Sequence, residues 1–432
     1  MTTRPAGPTR VRWGVLALIV AGGFVAYFLR SNMSVAGEAM MQDLSLSKTQ
    51  LGIVLAAFAW SYAAFQFPGG VLCDRIGARR IIALGAIAWG VLNLLVGLMP
   101  SSGLLSLTAT IAALVVLRAL MGATQAPFFP ATSGAMLCSW FPVKGWAFPS
   151  GVANVGLTFG AAATPPIIAW LMQQYGWRAS YVITAPLGFL FAAIWWWYVR
   201  DTPHEHAKVG QAEIDLVDEG RPAFAAGRVH AGAWKRVLRD RDVMLLTLSY
   251  LCSNFLYYFF FNWLYIYLVE NRGMKLLESG FYAAAPWVVG AGGALVGGVA
   301  CDRLVRRVGM RWGYRGPGMV GLVLAAIFML AAAGVSSPIA AVVLLSLCLA
   351  SQQVTEPAFW TATIALSGRD AATATGILNT GANIAGGFGA LLVPLIVERF
   401  GWAAALGSAA FFSLVGAALW LLIDPNREMA KL

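Results

Sequence analysis

Apolar runs of about 20 residues or more recur along the whole chain, parted by short polar connections. As a helix, such a run is about 30 Å long, the thickness of a bilayer's hydrocarbon core. Lipid offers no partner for backbone N–H and C=O groups, so only helices or closed barrels can cross it. The period-two alternation of barrel strands is absent, which leaves helices. Composition agrees: 59% of the 432 residues are hydrophobic and 11% charged, against about 25% charged in soluble chains. The expected fold is therefore an all-α membrane protein. Twelve transmembrane helices are expected at about 13–36, 47–72, 79–100, 103–133, 146–172, 177–200, 242–269, 277–300, 315–336, 338–366, 372–397 and 402–424.

An even number of spans puts both chain ends on one side. That side holds 23 of the 30 Lys and Arg residues and the other side 5, while Arg30 and Arg118 fall within spans. By the positive-inside rule both termini are cytoplasmic, and a multi-pass protein of a bacterial inner membrane is expected. The net charge of +11 is thus a topology signal, and nucleic acid is not an expected partner. Arg4, Arg10 and Arg12 precede the first apolar run without a small-residue cleavage site, so this stretch reads as a cytoplasmic tail rather than a signal peptide. The five cysteines are far apart in sequence and suggest neither a disulfide framework nor a metal knuckle. All three histidines (His204, His206 and His230) lie in the longest connection, so none can relay protons through the membrane. His204-Glu205-His206 lacks further ligands at useful spacing and reads as a solvated loop. No metal or cofactor is expected.

That longest connection divides the chain into an N-terminal six-helix bundle (1–200), a cytoplasmic linker with short amphipathic helices (201–241), and a C-terminal six-helix bundle (242–432). The two bundles repeat one another. Gly70-Val-Leu-Cys-Asp74-Arg75 recurs as Gly298-Val-Ala-Cys-Asp302-Arg303, and Thr124-Gln125-Ala-Pro127-Phe128 as Thr355-Glu356-Pro357-Ala-Phe359. Gly151, Asn154, Gly156, Gly176 and Trp177 recur as Gly376, Asn379, Gly381, Gly401 and Trp402. Tyr27 to Asn32 aligns loosely with Tyr257 to Asn262. Repeats in the same direction imply two pseudo-symmetric bundles, with a functional site at midplane between them.

Arg30 stands well inside the first span. A guanidinium keeps its proton, and its insertion at a helix centre costs roughly 2.5 to 3.5 kcal/mol. It is tolerated against backbone carbonyls, an acidic partner, water or an anionic ligand. Arg118 in span four raises the same alternatives. Two guanidiniums facing one cavity would suit a carboxylate, which each can engage bidentately.

Gly70-x-Leu72-x-Asp74-Arg75-x-Gly77-x-Arg79-Arg80 resembles the signature loop of the major facilitator superfamily, and with the twelve spans and central linker the resemblance covers nearly the whole chain. It implies a rocker-switch transporter and no enzyme. It also implies gating contacts for Asp74, Arg75 and Arg79, with Asp302 and Arg303 as their repeat mates. Arg30-Ser-Asn-Met-Ser, Tyr62-x-x-x-Gln66-x-Pro68-Gly69-Gly70 and Arg118-x-x-x-Gly122-x-x-Gln125-x-Pro127 resemble the anion:cation symporters, a group that includes hexuronate, aldonate and phthalate carriers and vesicular glutamate and sialic acid carriers. The resemblance implies a small organic anion as substrate, with Arg30 contacting its carboxylate and Arg118 either helping or coupling to the proton site.

Further candidates surround these arginines. Tyr27 lies one turn before Arg30, and Tyr62 and Gln66 are one turn apart. Asn154 and Asn379 are repeat mates, with Asn383 one turn beyond. Tyr257 and Tyr258 in span seven and Trp360 in span ten are candidate walls of the second bundle. The pattern departs from the symporters at the coupling acids: Leu29 and Gln125 stand where relatives carry carboxylates. Glu356, the repeat mate of Gln125, is the acid placed at depth and is expected to couple transport to protons. The expected function is proton-coupled uptake of a sugar acid or similar carboxylate by a monomer in the lipid bilayer. An exchanger or uncoupled facilitator of aromatic or dicarboxylic acids, a drug efflux antiporter and a transporter-like sensor are the alternatives.

Overall fold

A computed structural model describes residues 9–101, 104–142, 147–218, 233–367, 371–424 and 427. The side chain of Asp74, and Arg221, Arg228 and His230 of the linker, lie outside the described residues. The described residues are helical with no strand. Eight apolar stretches are long enough to cross a bilayer, and three of them are of double length. Each of those three is broken by a glycine at positive φ: Gly176 (81°), Gly309 (81°) and Gly401 (79°). Lys48–Ile76 adds another long run.

Divided at these glycines, the described residues give the following long helices, besides the short ones of the linker. The first six are α1 (Val11–Leu44), α2 (Lys48–Ile76), α3 (Ala78–Gly97), α4 (107–140), α5 (147–175) and α6 (177–198). The second six are α7 (241–270), α8 (276–308), α9 (310–334), α10 (338–367), α11 (371–400) and α12 (402–420). α4 contains a π-helical segment at Pro130–Met136, and α7 kinks at Trp263.

Two connections differ from their expected form. The signature stretch is no loop: α2 runs to Ile76 and α3 starts at Ala78, with only Gly77 (φ 90°) between them. α8 likewise continues past residue 300 to a one-residue break at Gly309. One residue that tolerates positive φ is enough to reverse direction, so the charged residues around these breaks ride on helical ends. Arg306, Arg307 and Arg311 are exposed there.

Small residues bring the helices together. A Cβ on Gly156 of α5 would lie 2.2 Å from the Val20 carbonyl of α1, so only glycine permits this approach. In the second half, Gly293 and Gly297 of α8 meet the backbone of α10 in the same way. Polar side chains link helices inside the first half: Asn93 Nδ2 donates to the Tyr181 carbonyl and the Thr184 hydroxyl, each at 3.0 Å.

Of the linker, Gln211–Asp218 and Ala233–Arg239 are helical. The buried Glu213 carboxylate accepts from Thr9 Oγ1 at 2.5 Å and from the Val11 and Arg12 amides at 3.3 and 3.2 Å. It thereby occupies the positive end of the α1 dipole and satisfies otherwise orphaned amides. The halves also touch on the side remote from the termini. There Lys48 Nζ pairs with Glu270 at 2.7 Å, and Thr49 donates from its amide and hydroxyl to Glu398 at 2.9 and 2.7 Å.

Candidate functional site

The repeat places a cavity of about 520 Å³ between the halves, within the range of small-molecule sites. Its walls include Tyr27, Arg30, Tyr62, Gln125 and Asn154 from the first half. The second half supplies Tyr257, Tyr258, Glu356, Trp360, Asn379 and Asn383. Nine of the eleven candidate binding residues, and the candidate coupling acid, therefore share one space. The two that do not line it are Arg118 and Gln66.

Arg30 is 4% exposed, and aromatic rings cage its guanidinium. The centroids of Tyr27, Phe58 and Phe261 lie 4.6, 4.6 and 4.5 Å from it, and that of Tyr62 at 5.5 Å. The negative ring faces replace part of the lost hydration. The ring faces provide no acceptor for the N–H groups; the Tyr258 hydroxyl is a neutral hydrogen-bond partner of the guanidinium, and Nε is buried without a hydrogen-bond partner. No ion pair joins Arg30 to an acid among the described residues. The result is a fixed cation that lines the cavity with hydrogen-bonding capacity in reserve.

Arg118 stands behind this cation. It is 5% exposed, and its Nη1 donates to the Arg30 carbonyl at 3.2 Å. The Phe58 ring lies 4.9 Å from the Arg118 guanidinium and 4.6 Å from that of Arg30. Arg118 thus ties α4 to α1 at the level of Arg30 and adds positive potential without a place on the cavity wall. Gln125, one helical stretch further along α4, makes a second tie through Nε2 to the Ala26 carbonyl at 3.0 Å.

Gln66 joins the halves instead of lining the cavity. Asn379 Nδ2 donates to its Oε1 at 2.9 Å. Asn383 Nδ2 donates to the Asn379 carbonyl at 2.8 Å, and Tyr258 donates to Asn383 Oδ1 at 3.1 Å. α7 and α11 are therefore held in register through neutral groups at the cavity wall. Gly386 of α11 packs directly beneath the Tyr258 ring, where a Cβ would be 2.5 Å away.

Glu356 sits on α10 beside a break in the helix at Thr355. Three neutral donors converge on its carboxylate. Tyr250 Oη and Trp360 Nε1 reach Oε2 at 2.9 and 3.2 Å, and Gln352 Nε2 reaches Oε1 at 3.2 Å. None is a cation.

The candidate gating residues are less concentrated. Arg75, Asp302 and Arg303 are exposed. The Arg79 amide donates to Asp201 Oδ1 at 2.8 Å, and its guanidinium donates to the Trp196 carbonyl at 2.5 Å and stacks 4.0 Å over the Trp196 ring. These contacts fix α3 to α6 inside the first half.

Several lining residues were not singled out from sequence: Thr158, Tyr250, Asn254 and Gln353. Tyr250 and Asn254 had a usable signal, since they continue the face of Tyr257 and Tyr258 at helical spacing. Gln353 likewise lies three residues before Glu356. Phe58 and Phe261, which cage Arg30, carry no signal that distinguishes them from core residues.

Comparison with known proteins follows the same lines. Residues 19–370 match the Major Facilitator Superfamily. The chain is 33% identical over 312 residues to the Probable galactarate/D-glucarate transporter GudP of Bacillus subtilis, covering 70% of this chain and 68% of that protein. It is 29% identical over 434 residues to the D-galactonate transporter of Escherichia coli O6:H1, covering 97% and 96%. Among solved structures, a bacterial homolog of the human lysosomal transporter Spinster superposes with a TM-score of 0.79 at 19% identity, covering 96% of this chain and 97% of that one. Sequence, helical architecture and the cavity between two repeated halves agree: the chain belongs to the Major Facilitator Superfamily and is a membrane transporter, not an enzyme, with sugar-acid carriers among its relatives.

Proposed function

We propose that this transporter carries a small hydroxylated organic anion, a sugar acid or similar carboxylate, by alternating access between its halves (1–200 and 242–432, joined by 201–241). The observation that carries the reading is Arg30: a buried guanidinium on the cavity wall, caged by rings and free of any acidic partner among the described residues. A carboxylate supplies what the cage lacks, two acceptors in the plane of the fork. Tyr62, Asn154, Asn379 and Asn383 are neutral hydrogen-bonding groups suited to hydroxyls around it. The names of the relatives, carriers of galactarate, D-glucarate and D-galactonate, support the same class.

Coupling to protons is assigned to Glu356, a carboxylate on the cavity wall with three neutral donors and no cation. Arg75, Arg79, Asp302 and Arg303 are assigned to the gate on the side of the termini, which we take to be the cytoplasm of a bacterial inner-membrane protein working as a monomer. Uptake of labelled D-galactonate into proteoliposomes, with and without an inward proton gradient, tests both parts. Gradient-driven accumulation by the wild type and its loss in Glu356→Gln are expected. Gradient-driven accumulation that survives in Glu356→Gln refutes the coupling assignment, and absence of any organic-acid uptake refutes the substrate class.

A further inference from the structure

Away from the central cavity, α3 and α6 bound an apolar groove of about 660 Å³ on the outside of the first half. Leu84 and Ile87 of α3 and Phe189 and Trp196 of α6 form its rims, and all four are exposed. Ala83 and Ala192 are its buried floor. Gly188 of α6 lets the two backbones close on each other, since a Cβ there would lie 2.7 Å from the Ala86 carbonyl. The alanines beside this contact are too small to fill the space between the rims. Exposed apolar side chains on a membrane-spanning helix face acyl chains, which are as apolar as leucine. From Arg80 to Ile87 the groove runs about 10 Å along α3.

At the end nearest the chain termini the groove turns basic. Arg80 stands exposed on its wall and makes no ion pair or hydrogen bond among the described residues. The guanidinium of Arg79 is met by the Trp196 carbonyl and ring, and that of Arg200 by the Trp197 and Val199 carbonyls at 3.2 and 2.9 Å. These partners are neutral and leave the charges uncancelled. Arg79 lies within electrostatic reach of Arg80, Arg200, Asp201 and Glu205. The two acids are engaged by other donors, Asp201 by the Arg79 amide at 2.8 Å and Glu205 by the Thr202 hydroxyl at 3.0 Å. Trp196 sets the level of the membrane interface, where indole rings gather. In the second half the equivalent place is filled. Counted from the breaks at Gly77 and Gly309, Arg315 takes the position of Ala83; it is 4% exposed and donates from Nε to the Ile423 carbonyl at 2.6 Å.

We infer that the groove between α3 and α6 binds one anionic phospholipid of the leaflet on the side of the termini. An acyl chain lies between the rims, and the phosphate sits on Arg80 and Arg200. Basic pockets beside membrane helices hold anionic headgroups in this way. A zwitterionic headgroup carries an ammonium as well, which the same arginines repel. Each arginine near a membrane surface strengthens binding of an anionic headgroup by about fivefold.

Native mass spectrometry of the purified transporter measures the affinity of single lipids, with dioleoylphosphatidylglycerol and dioleoylphosphatidylcholine as probes that share their chains. The wild type is expected to bind one phosphatidylglycerol in preference to phosphatidylcholine. Arg80→Gln should weaken phosphatidylglycerol about fivefold and leave phosphatidylcholine unchanged, and adding Arg200→Gln should weaken it about fivefold more. Ala193→Trp, on an exposed position of the groove, should weaken both lipids by blocking the chain. Arg306→Gln, at the exposed basic end of the second half, should change neither. Thermal unfolding without lipid establishes that each variant is folded. Equal binding of the two lipids by the wild type overturns the inference, as does a preference that survives in the double variant or falls as much in Arg306→Gln. Displacement of the lipid by millimolar inorganic phosphate shows a site for the free anion instead, and a lipid-free dimer broken by Ala193→Trp shows a second copy in the groove; either result overturns it.

Discussion

Replacing Arg30 by methionine separates what this side chain does for binding from what it does for the fold. Methionine keeps the length and apolar bulk of the side chain and removes the charge. In the free protein, burying the guanidinium costs roughly 2.5 to 3.5 kcal/mol. Three rings at 4.5 to 4.6 Å return about 0.5 to 1 kcal/mol each, roughly 1.5 to 3 in total. The two contributions nearly cancel, so Arg30→Met should unfold within a few degrees of the wild type. With ligand the balance is different. A bidentate pair of charge-assisted hydrogen bonds, each about 1.5 to 3 kcal/mol, disappears, and affinity should fall by at least about a hundredfold. Arg30→Lys keeps a positive charge but not the planar fork, and should lose about ten- to a hundredfold. Thermal unfolding with and without D-galactonate reads both quantities from one preparation. A stable Arg30→Met variant that binds with wild-type affinity refutes the reasoning, and so does a variant that loses several kcal/mol of stability without ligand.

Three further outcomes are expected. Arg118→Met removes the bond to the Arg30 carbonyl, so it should lower the unfolding temperature by several degrees while weakening D-galactonate binding less than Arg30→Met does; thermal shift and calorimetry compare them. Gly156→Ala forces α5 away from the Val20 carbonyl, and should cost about 1 to 3 kcal/mol, seen as reduced recovery of monodisperse protein by size-exclusion chromatography. His206 sits in the linker against Trp140 and Tyr198, with ring centroids at 5.8 and 5.3 Å, and burial, aided by the Arg200 charge, holds it below the ordinary value of 6.5. The unfolded linker therefore takes up a proton before the docked one does, so docking weakens as pH falls below about 6.5; proteolysis of the linker should accelerate there in the wild type and not in His206→Phe.

How much of this was legible in the sequence differs by level. Run length and charge asymmetry located the helices, because lipid forces every backbone group to be satisfied within its own segment. The repeat then brought Arg30, Asn154, Asn379 and Glu356 to one place, since pseudo-symmetric positions face the same axis. Orientation around each helix was less accessible. Arg118 carries the same charge as Arg30 at comparable depth, yet faces the backbone of α1 instead of the cavity, a difference set by packing between helices that spacing within one helix cannot reveal. Gln66 follows Tyr62 by one turn, but its amide reaches across to the other half. The single-glycine connections at Gly77 and Gly309 were also hidden, because the charged residues beside them read equally as loop or as helical end.

The contacts that join the halves on the two sides of the cavity, taken here as its seals, differ in chemistry. Remote from the termini, an ion pair between Lys48 and Glu270 and two hydrogen bonds to the Glu398 carboxylate join the halves. Toward the termini, the bond between Gln66 and Asn379 is neutral. Mobile ions screen the first seal, whose charged side chains are partly exposed, and leave the second almost untouched. Under the proposed alternating access, the ionic strength of one compartment acts on one half of the transport cycle, which makes the carrier's kinetics asymmetric toward the two solutions it separates.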